Sequence, residues 1–444
     1  MSVLSWLRKL TPAWVLVGFH WLEAWLGAII YWFPSQQLIV IGVTGTNGKS
    51  TTVNYLAKVL SQTGSKVGFV STANIYDGKD EWINKWKLTM PGRFHLQHLL
   101  RQMVRNGCRY AVLEISSEGL IQYRHAGINF DVAMFTNLTP EHLERHGGFA
   151  NYKKAKGMLF KYLTRLARKT LNGKVQPKII VANEDDEQAG YFLSFAADKK
   201  NTYGVNPVET RRASSHPTTQ IIATDVNIQP WSSSFTVEGQ RFEVKMGGQF
   251  NVYNALAAVA VGRALGLSLA QCAFGVSALT AMPGRMERIE AGQDFIALVD
   301  YAPEPESMRQ LQSALAHIPH QRIIHVLGSA GGGRDKSRRP VLGRLAAEHA
   351  DIVIVTTEDP YDEDPQVIIE QVAAGTRAVG HGELIIEPDR RLAIRRAVAL
   401  AQAGDLVLVT GKACEQWICW ENGRKEPWDD RVMLREELER RGSL

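Results

Sequence analysis

The chain has 444 residues, enough for about three domains at roughly 150 residues each and for more than one buried core. Apolar residues make up 45% and charged residues 22%, which excludes a disordered chain and a polytopic membrane protein. With 51 Lys and Arg against 45 Asp and Glu, the net charge of +6 is thinly spread and forms no long basic run, so no nucleic-acid partner is expected. Cys108, Cys272, Cys414 and Cys419 make no C-x-x-C pair, which argues against a zinc ribbon or disulfide framework and makes a reducing cytosol the expected compartment.

In chain order, the first feature is tryptophan: five of the 11 (Trp6, Trp14, Trp21, Trp25, Trp32) lie in the first 36 residues. From Pro12 to Phe33 the sequence is almost wholly apolar, broken by His20 and Glu23. At about 100° per residue Trp14, Trp21, Trp25 and Trp32 share one helical face, with His20 and Glu23 on the other side. Such a stripe suits a helix lying in a membrane headgroup layer or one docked on its own protein. A span is the poorest option, because Arg8 and Lys9 would hold the N-terminus inside and put everything after Phe33 outside.

After Pro34 the pattern is α/β. Apolar strand-type runs at Leu38–Val43, Lys66–Ser71, Tyr110–Ile115, Val132–Thr136 and Lys178–Ala182 alternate with helices such as Thr51–Ser61, His95–Val104 and Tyr152–Lys169, which predicts a mostly parallel sheet covered on both faces. Segments Gln220–Val226, Ser234–Val237 and Arg241–Val244 alternate as a small attached antiparallel sheet would. A helix over Val252–Leu265 leads to a Pro-Gly hinge at Ala281–Arg285. A second α/β series then follows, with strands at Phe295–Val299, Arg322–Leu327, Ile352–Thr356 and Leu406–Val409 and a helix at Leu392–Ala401.

The strongest local signal is Thr44-Gly-Thr-Asn-Gly-Lys-Ser-Thr-Thr52 between a strand and a helix. Glycines let backbone wrap phosphates, the helix N-terminus offers unpaired N–H groups, Lys49 neutralises phosphate charge and Ser50 can ligate Mg²⁺. Glu114 ends a strand in Val112-Leu-Glu-Ile-Ser-Ser-Glu-Gly-Leu120, where such sheets bind ligands, and a metal ligand is its economical role. Thr136-Asn-Leu-Thr-Pro-Glu-His142 supplies a histidine at another strand end.

These motifs, with Tyr152-Lys-Lys-Ala-Lys156, Gly248-Gln-Phe-Asn-Val-Tyr-Asn254, Pro283-Gly-Arg-Met-Glu287 and Val299-Asp-Tyr-Ala302, resemble the Mur ligase family in order from Leu38 to the C-terminus. Within it the chain is most similar to the members that add the third residue of the peptidoglycan stem peptide. The resemblance implies an ATP-dependent acid–amino acid ligase with ATP, Mg²⁺ at two sites, an amino acid and a muramoyl-peptide acceptor. It implies a Trp-rich helix over 1–36, a P-loop ATPase domain over 37–282 and a Rossmann-like amino-acid-binding domain over 283–444. Gly45, Thr46, Asn47, Gly48, Lys49, Ser50 and Thr51 would cradle ATP, with Asn254 at the adenine, Arg285 at the γ-phosphate and Asp300 at the ribose. Ser50, Glu114, His142 and a carbamylated Lys156 would hold metal. Thr89, Ser116, Ser117 and Arg124 would meet the acceptor, and Glu358, Asp359, Tyr361, Gly411 and Glu415 the amino acid. Folylpolyglutamate and cyanophycin ligases are relatives with the same chemistry, and a non-catalytic membrane-associated nucleotide-binding scaffold is the reading from another class.

The chain also departs from the family's pattern. Tyr361 stands where diaminopimelate ligases carry an arginine able to clamp a carboxylate bidentately. With Glu358, Asp359, Glu363 and Asp364 around it, a basic amino acid such as lysine is expected, the alternative being that these acids form a solvated loop. Cys414 replaces the family's histidine and reads as a packed small hydrophobe rather than a nucleophile. Only about 37 residues precede the first strand, so the resemblance implies that the domain gripping the UDP moiety is missing. The tryptophan helix stands in its place, and residues 12–33 are a candidate peripheral contact with the inner face of the membrane.

Overall fold

The computed structural model describes residues 13–86, 88–141, 143–205 and 218–442. They form two compact units: one comprises the chain up to Thr280 apart from 141–148 and 229–231, and the other comprises those two segments with Ala281 onward. Each is taken by itself.

The first unit is an eleven-stranded sheet. Its strands are β1 (Ile39–Thr44), β2 (Lys66–Val70), β3 (Asn74–Tyr76), β4 (Glu81–Ile83), β5 (Cys108–Glu114), β6 (Val132–Phe135), β7 (Ile179–Asn183), β8 (Lys199–Val205), β9 (Thr218–Ile228), β10 (Ser233–Val237) and β11 (Gln240–Val244). They lie in the order β11-β10-β9-β8-β7-β6-β1-β5-β2-β3-β4, parallel from β9 to β2 and antiparallel at both edges. The central strands read as continuous apolar runs because helices cover both faces: β1 and β6 are buried along their whole length. The expected antiparallel segments are the continuation of this sheet, since β9 pairs parallel with β8 before β10 and β11 turn back. The short hairpin of β3 and β4 at the far edge has no signature in the sequence, because strands of three residues carry too little alternation to read.

The N-terminal helix α1 (Ala13–Ile30) docks on its own unit. Ala24, Gly27 and Ala28 form its buried stripe: a Cβ on Gly27 would lie 3.5 Å from Phe94 and Gln97 of α3 (Arg93–Arg105), while Ala28 and the Ala24 carbonyl lie close against Gly127. Glu23 pairs with Arg93 at 3.0 Å, and Arg101 donates to the carbonyls of Tyr31 and Trp32 at 2.9 and 3.0 Å. The tryptophan stripe is therefore not the docking face. Trp25 is half-buried and Trp21 exposed, Trp32 lies beyond the helix end, and the Trp14 side chain falls outside the described residues. No described helix is long and apolar enough to cross a membrane.

The phosphate-loop helix α2 (Lys49–Ser61) follows β1. The helix expected over 152–169 is α5 (Phe149–Leu163), after the short α4 (Ser117–Ile121). It stops before Lys169, whose buried ammonium donates to the carbonyls of Ser35, Leu38 and Asn129 and pairs with Asp131 at 2.6 Å. An ammonium so buried is held only by such partners, and the chain leaves the helix to deliver it. Helix α6 (Gln249–Ala264) completes the unit's central layer.

The second unit has a six-stranded sheet, β12 (Glu287–Arg288), β13 (Ile296–Asp300), β14 (Ile323–Leu327), β15 (Ile352–Val355), β16 (Glu383–Ile386) and β17 (Leu406–Thr410), ordered β12-β13-β17-β14-β15-β16. All but β12 run parallel. Crossover helices, α7 (Pro365–Arg377) and α8 (Arg390–Leu400) among them, separate the strands. Asp300 ends one parallel strand and Glu358 and Gly411 follow the carboxyl ends of two others, where open α/β sheets form their ligand crevices.

Candidate active site

In the first unit the loop between β1 and α2 is shaped for an anion. Gly48 has φ +81°, and a Cβ there would lie 2.2 Å from Asn254 Oδ1, so only glycine fits. Lys49 Nζ donates to the Thr46 carbonyl at 2.7 Å, folded over the loop. Thr46 N and Asn47 N are already bonded, to the Asn137 carbonyl and its Oδ1, both at 2.8 Å. Among the described residues Thr44 Oγ1, Asn47 Nδ2 and Thr139 Oγ1 are buried without a hydrogen-bond partner. Thr44 and Asn47 flank this loop's start and Thr139 follows β6, and orphan polar atoms of this kind are what a bound polar ligand would satisfy.

Parallel pairing places Glu114 beside Val43, the residue before the loop. Its carboxylate, 3% exposed, accepts from Ser50 Oγ at 2.7 Å, Thr72 N at 2.6 Å and Thr72 Oγ1 at 2.9 Å. Thr72 Oγ1 also lies 2.9 Å from Thr89 Oγ1. Ser50 and Glu114 are hard oxygen donors, the set Mg²⁺ takes from protein when phosphates and water fill its remaining positions. No group of three or more His, Cys, Asp or Glu side chains able to hold a metal assembles among the described residues, and His142 lies outside them. Lys156 is buried on α5, donates to the Gly45 carbonyl at 2.6 Å and lies 4.5 Å from the Tyr152 ring centroid.

Arg124 donates to the Met90 carbonyl and to Gln122 Oε1, the latter at 2.8 Å, bracing the loop that carries Thr89. Ser116 caps α4 by accepting from Gly119 N, and Ser117 is buried at its start. Thr51 is buried in the first turn of α2. Asn254, on α6, accepts from Thr52 Oγ1 at 3.3 Å.

In the second unit the sequence-selected residues gather at the ends of β13, β15 and β17. Asp300 accepts from Met286 N at 2.7 Å and Ala302 N at 2.9 Å, and burial raises its carboxyl despite Arg285 nearby. The Arg285 guanidinium lies 4.5 Å from the Tyr301 ring centroid, and Tyr301 Oη donates to Glu415 Oε1 at 3.2 Å. Sequence reading missed the centre of this cluster, Lys412. It is fully buried and donates to Asp359 Oδ1 at 2.9 Å, Glu415 Oε2 at 2.7 Å and the Trp417 carbonyl at 2.7 Å. It lies inside the quoted Gly411–Glu415 motif, but burial of the intervening lysine has no local signature. Thr72, missed likewise, belongs to no motif.

The expected acidic neighbourhood is largely spent. Glu363 pairs with Arg339 at 3.0 Å and Lys336 at 3.2 Å, Asp364 caps α7, and Asp359 serves Lys412 and Cys419 N. No hydrogen bond among the described residues reaches the Glu358 carboxylate; burial raises it, and a Cβ on Gly411, at φ +109°, would lie 2.4 Å from its Oε2. Tyr361, at φ +52°, donates its N–H to the Cys419 carbonyl and stacks over Gly332. Burial pushes the Cys414 thiol up to about 11, the behaviour of a packed apolar group.

Comparison with known proteins agrees with this geometry. Residues 43–262 match the Mur ligase middle domain and residues 284–413 the Mur ligase, glutamate ligase domain. A UDP-N-acetylmuramyl-tripeptide synthetase of Roseiflexus sp. (strain RS-1) is 38% identical over 93% of this chain and 81% of its own length. A UDP-N-acetylmuramoyl-L-alanyl-D-glutamate--2,6-diaminopimelate ligase of Gloeobacter violaceus is 37% identical over 94% and 81%. Among solved structures, a ligase of the latter name aligns with TM-score 0.57 at 29% identity, covering 91% of this chain and 79% of that one. Mycobacterium tuberculosis folylpolyglutamate synthase, with TM-score 0.67 at 18% identity over 88% and 91%, shares the fold. The chain belongs to the Mur ligase family, the ATP-dependent amide ligases of peptidoglycan synthesis.

Proposed function

We propose that this ligase joins the carboxylate of a muramoyl-dipeptide acceptor to an amino acid that becomes the third residue of the stem peptide, on the cytoplasmic side where ATP is available. The observation that carries it is the bonded path Ser50–Glu114–Thr72–Thr89, which links the phosphate loop to the acceptor loop through contacts of 2.7 to 2.9 Å.

In this reading a carboxylate oxygen of the acceptor attacks the γ-phosphorus and ADP leaves, giving an acyl phosphate. The amino group then attacks the acyl carbon, and the tetrahedral intermediate collapses to amide and phosphate, with the amine's proton released. Lys49 swings from the Thr46 carbonyl to the phosphates, while the 45–51 loop orients them. Ser50 and Glu114 would hold Mg²⁺, which when bound neutralises phosphate charge. His142 and Lys156 would hold a second metal ion once Lys156 is carbamylated, its neutral amine adding CO₂ and losing a proton to give an anionic carbamate. Thr89, Ser116, Ser117 and Arg124 hold the acceptor, Asn254 meets the adenine, and Arg285 and Asp300 serve the nucleotide.

For the amino acid, Gly411, Glu415, Asp359 and Tyr361 frame the position and Glu358 supplies the charge. The expectation of a basic residue now rests on Glu358, a buried carboxyl for which an ammonium is the fitting counter-ion. ADP formation with a muramoyl-dipeptide acceptor and an amino-acid panel tests it. Lysine or ornithine should turn over fastest, and best turnover with meso-diaminopimelate overturns the assignment.

A further inference from the structure

Helix α1 carries two opposite faces. One holds Gly27 against α3 and Ala24 and Ala28 against Gly127, and is sealed by the Glu23–Arg93 pair. The other consists of Phe19, Leu22, Leu26, Ile29 and Ile30, spaced by three and four residues, each between 42% and 57% exposed. No charged residue interrupts it. The only charged residue of α1, Glu23, is turned to Arg93 on the protein side. Trp21, 48% exposed, sits at the border between the faces, and Trp32, 80% exposed, follows the helix. An apolar stripe of this size is costly to leave in water.

The two helices run in the same direction: Glu23 meets Arg93, Gly27 meets Phe94 and Gln97, Tyr31 meets His98, and Arg101 reaches the carbonyls of Tyr31 and Trp32. The middle of α1 thus lies beside the start of α3, which directly follows the Thr89–Pro91 acceptor loop. At that same end exposed Lys85 precedes Trp86 and Leu88, 38% and 41% exposed, and the Trp86 ring lies 5.6 Å from His95. Arg93 further binds the Gln122 carbonyl at 2.7 Å, and Gln122 bonds Arg124. Helix α1 is therefore linked to the acceptor loop through Glu23, Arg93, Gln122 and Arg124.

We infer that this face is a docking surface for an anionic lipid bilayer, holding the acceptor loop at the membrane. The chemistry favours lipid over a protein partner. The stripe is apolar with no acid, tryptophans stand at its border as they do at headgroup level, and the exposed Lys85 supplies a cation by the start of α3. The inference rests on the ligase reading only for what the adjoining loop binds. Lipid docking itself needs neither ATP nor amino acid, so it stands or falls separately.

The test is flotation of the full-length protein with phosphatidylcholine vesicles containing phosphatidylglycerol, set against the Leu22→Ser/Leu26→Ser/Ile29→Ser variant, with circular dichroism as the folding control. Wild type should float, the variant should partition at least about tenfold more weakly, and Lys85→Glu should weaken binding further at low salt than at high. Independently of any variant, vesicles of brominated lipid should quench the wild-type tryptophan fluorescence. Equal flotation of wild type and triple variant overturns the inference, as does absence of quenching. So does a wild-type dimer that ignores vesicles and is dissociated by the triple substitution, which would give the face to a second copy of the chain.

Discussion

Replacing Glu114 by Gln keeps shape and volume and removes one charge. The wild-type carboxylate accepts three hydrogen bonds, from Ser50 Oγ and Thr72 N at Oε2 and from Thr72 Oγ1 at Oε1. With the amide oxygen at the Oε2 position two survive, and the Thr72 hydroxyl, which already faces Thr89 Oγ1 at 2.9 Å, turns to accept from the new NH₂. The fold should lose about 1 kcal/mol, a fall in Tm of roughly 2–4 °C for a unit of this size. Mg²⁺ held by Ser50 and position 114 loses a full negative partner. Such charge stabilisation is worth several kcal/mol, and about 3 kcal/mol is roughly a hundredfold in rate. Thermal unfolding and steady-state ADP formation across a Mg²⁺ titration read the two effects separately. Turnover within about threefold of wild type at every Mg²⁺ concentration, against the expected hundredfold, would refute the metal assignment. A Tm loss above roughly 10 °C, well beyond the bonds counted here, would make Glu114 structural instead.

Lys412→Met leaves Asp359 and Glu415 without the ammonium they share, and urea unfolding should show a loss of about 3–5 kcal/mol; a loss below about 1 kcal/mol, the range of an exposed pair, contradicts the buried network. Burial holds His125 at about 4 and His325 at about 3, against an ordinary 6.5. The unfolded chain therefore binds protons first, and the stability present above pH 6.5 falls away toward pH 4, by up to about 3 kcal/mol for His125. His125→Phe should flatten that slope in pH-dependent denaturation, and an unchanged slope counts against it. Tyr361→Arg restores a bidentate carboxylate clamp, so the turnover ratio of diaminopimelate to lysine should rise at least about tenfold; competition assays showing no change would remove Tyr361 from the amino-acid position.

The phosphate loop was legible because its signal is local: an apolar strand, a glycine turn and a helix within a few residues. Glu114 could be read for the same reason, as an acid at a strand's carboxyl end. Thr72 could not, because it reaches Glu114 through tertiary placement and sits in no motif. Lys412 hid inside a recognised motif, since three partners from separate turns bury it. In α1 the tryptophans drew the eye, yet Ala24, Gly27 and Ala28 make the docking face. Small residues carry no periodic hydrophobic signal, although close helix approach depends on them. The acidic loop misled in the other direction: Glu363 and Asp364 look available in sequence, and Arg339, Lys336 and the start of α7 take them up.

Isotope transfer distinguishes ligation through an acyl phosphate from uncoupled ATP hydrolysis. With the acceptor carboxylate labelled with ¹⁸O, ATP, Mg²⁺ and lysine, one labelled oxygen should appear in the released phosphate and the other remain in the amide, as an acyl phosphate requires. Amide formed with unlabelled phosphate, or phosphate release that ignores acceptor and amino acid, would contradict it.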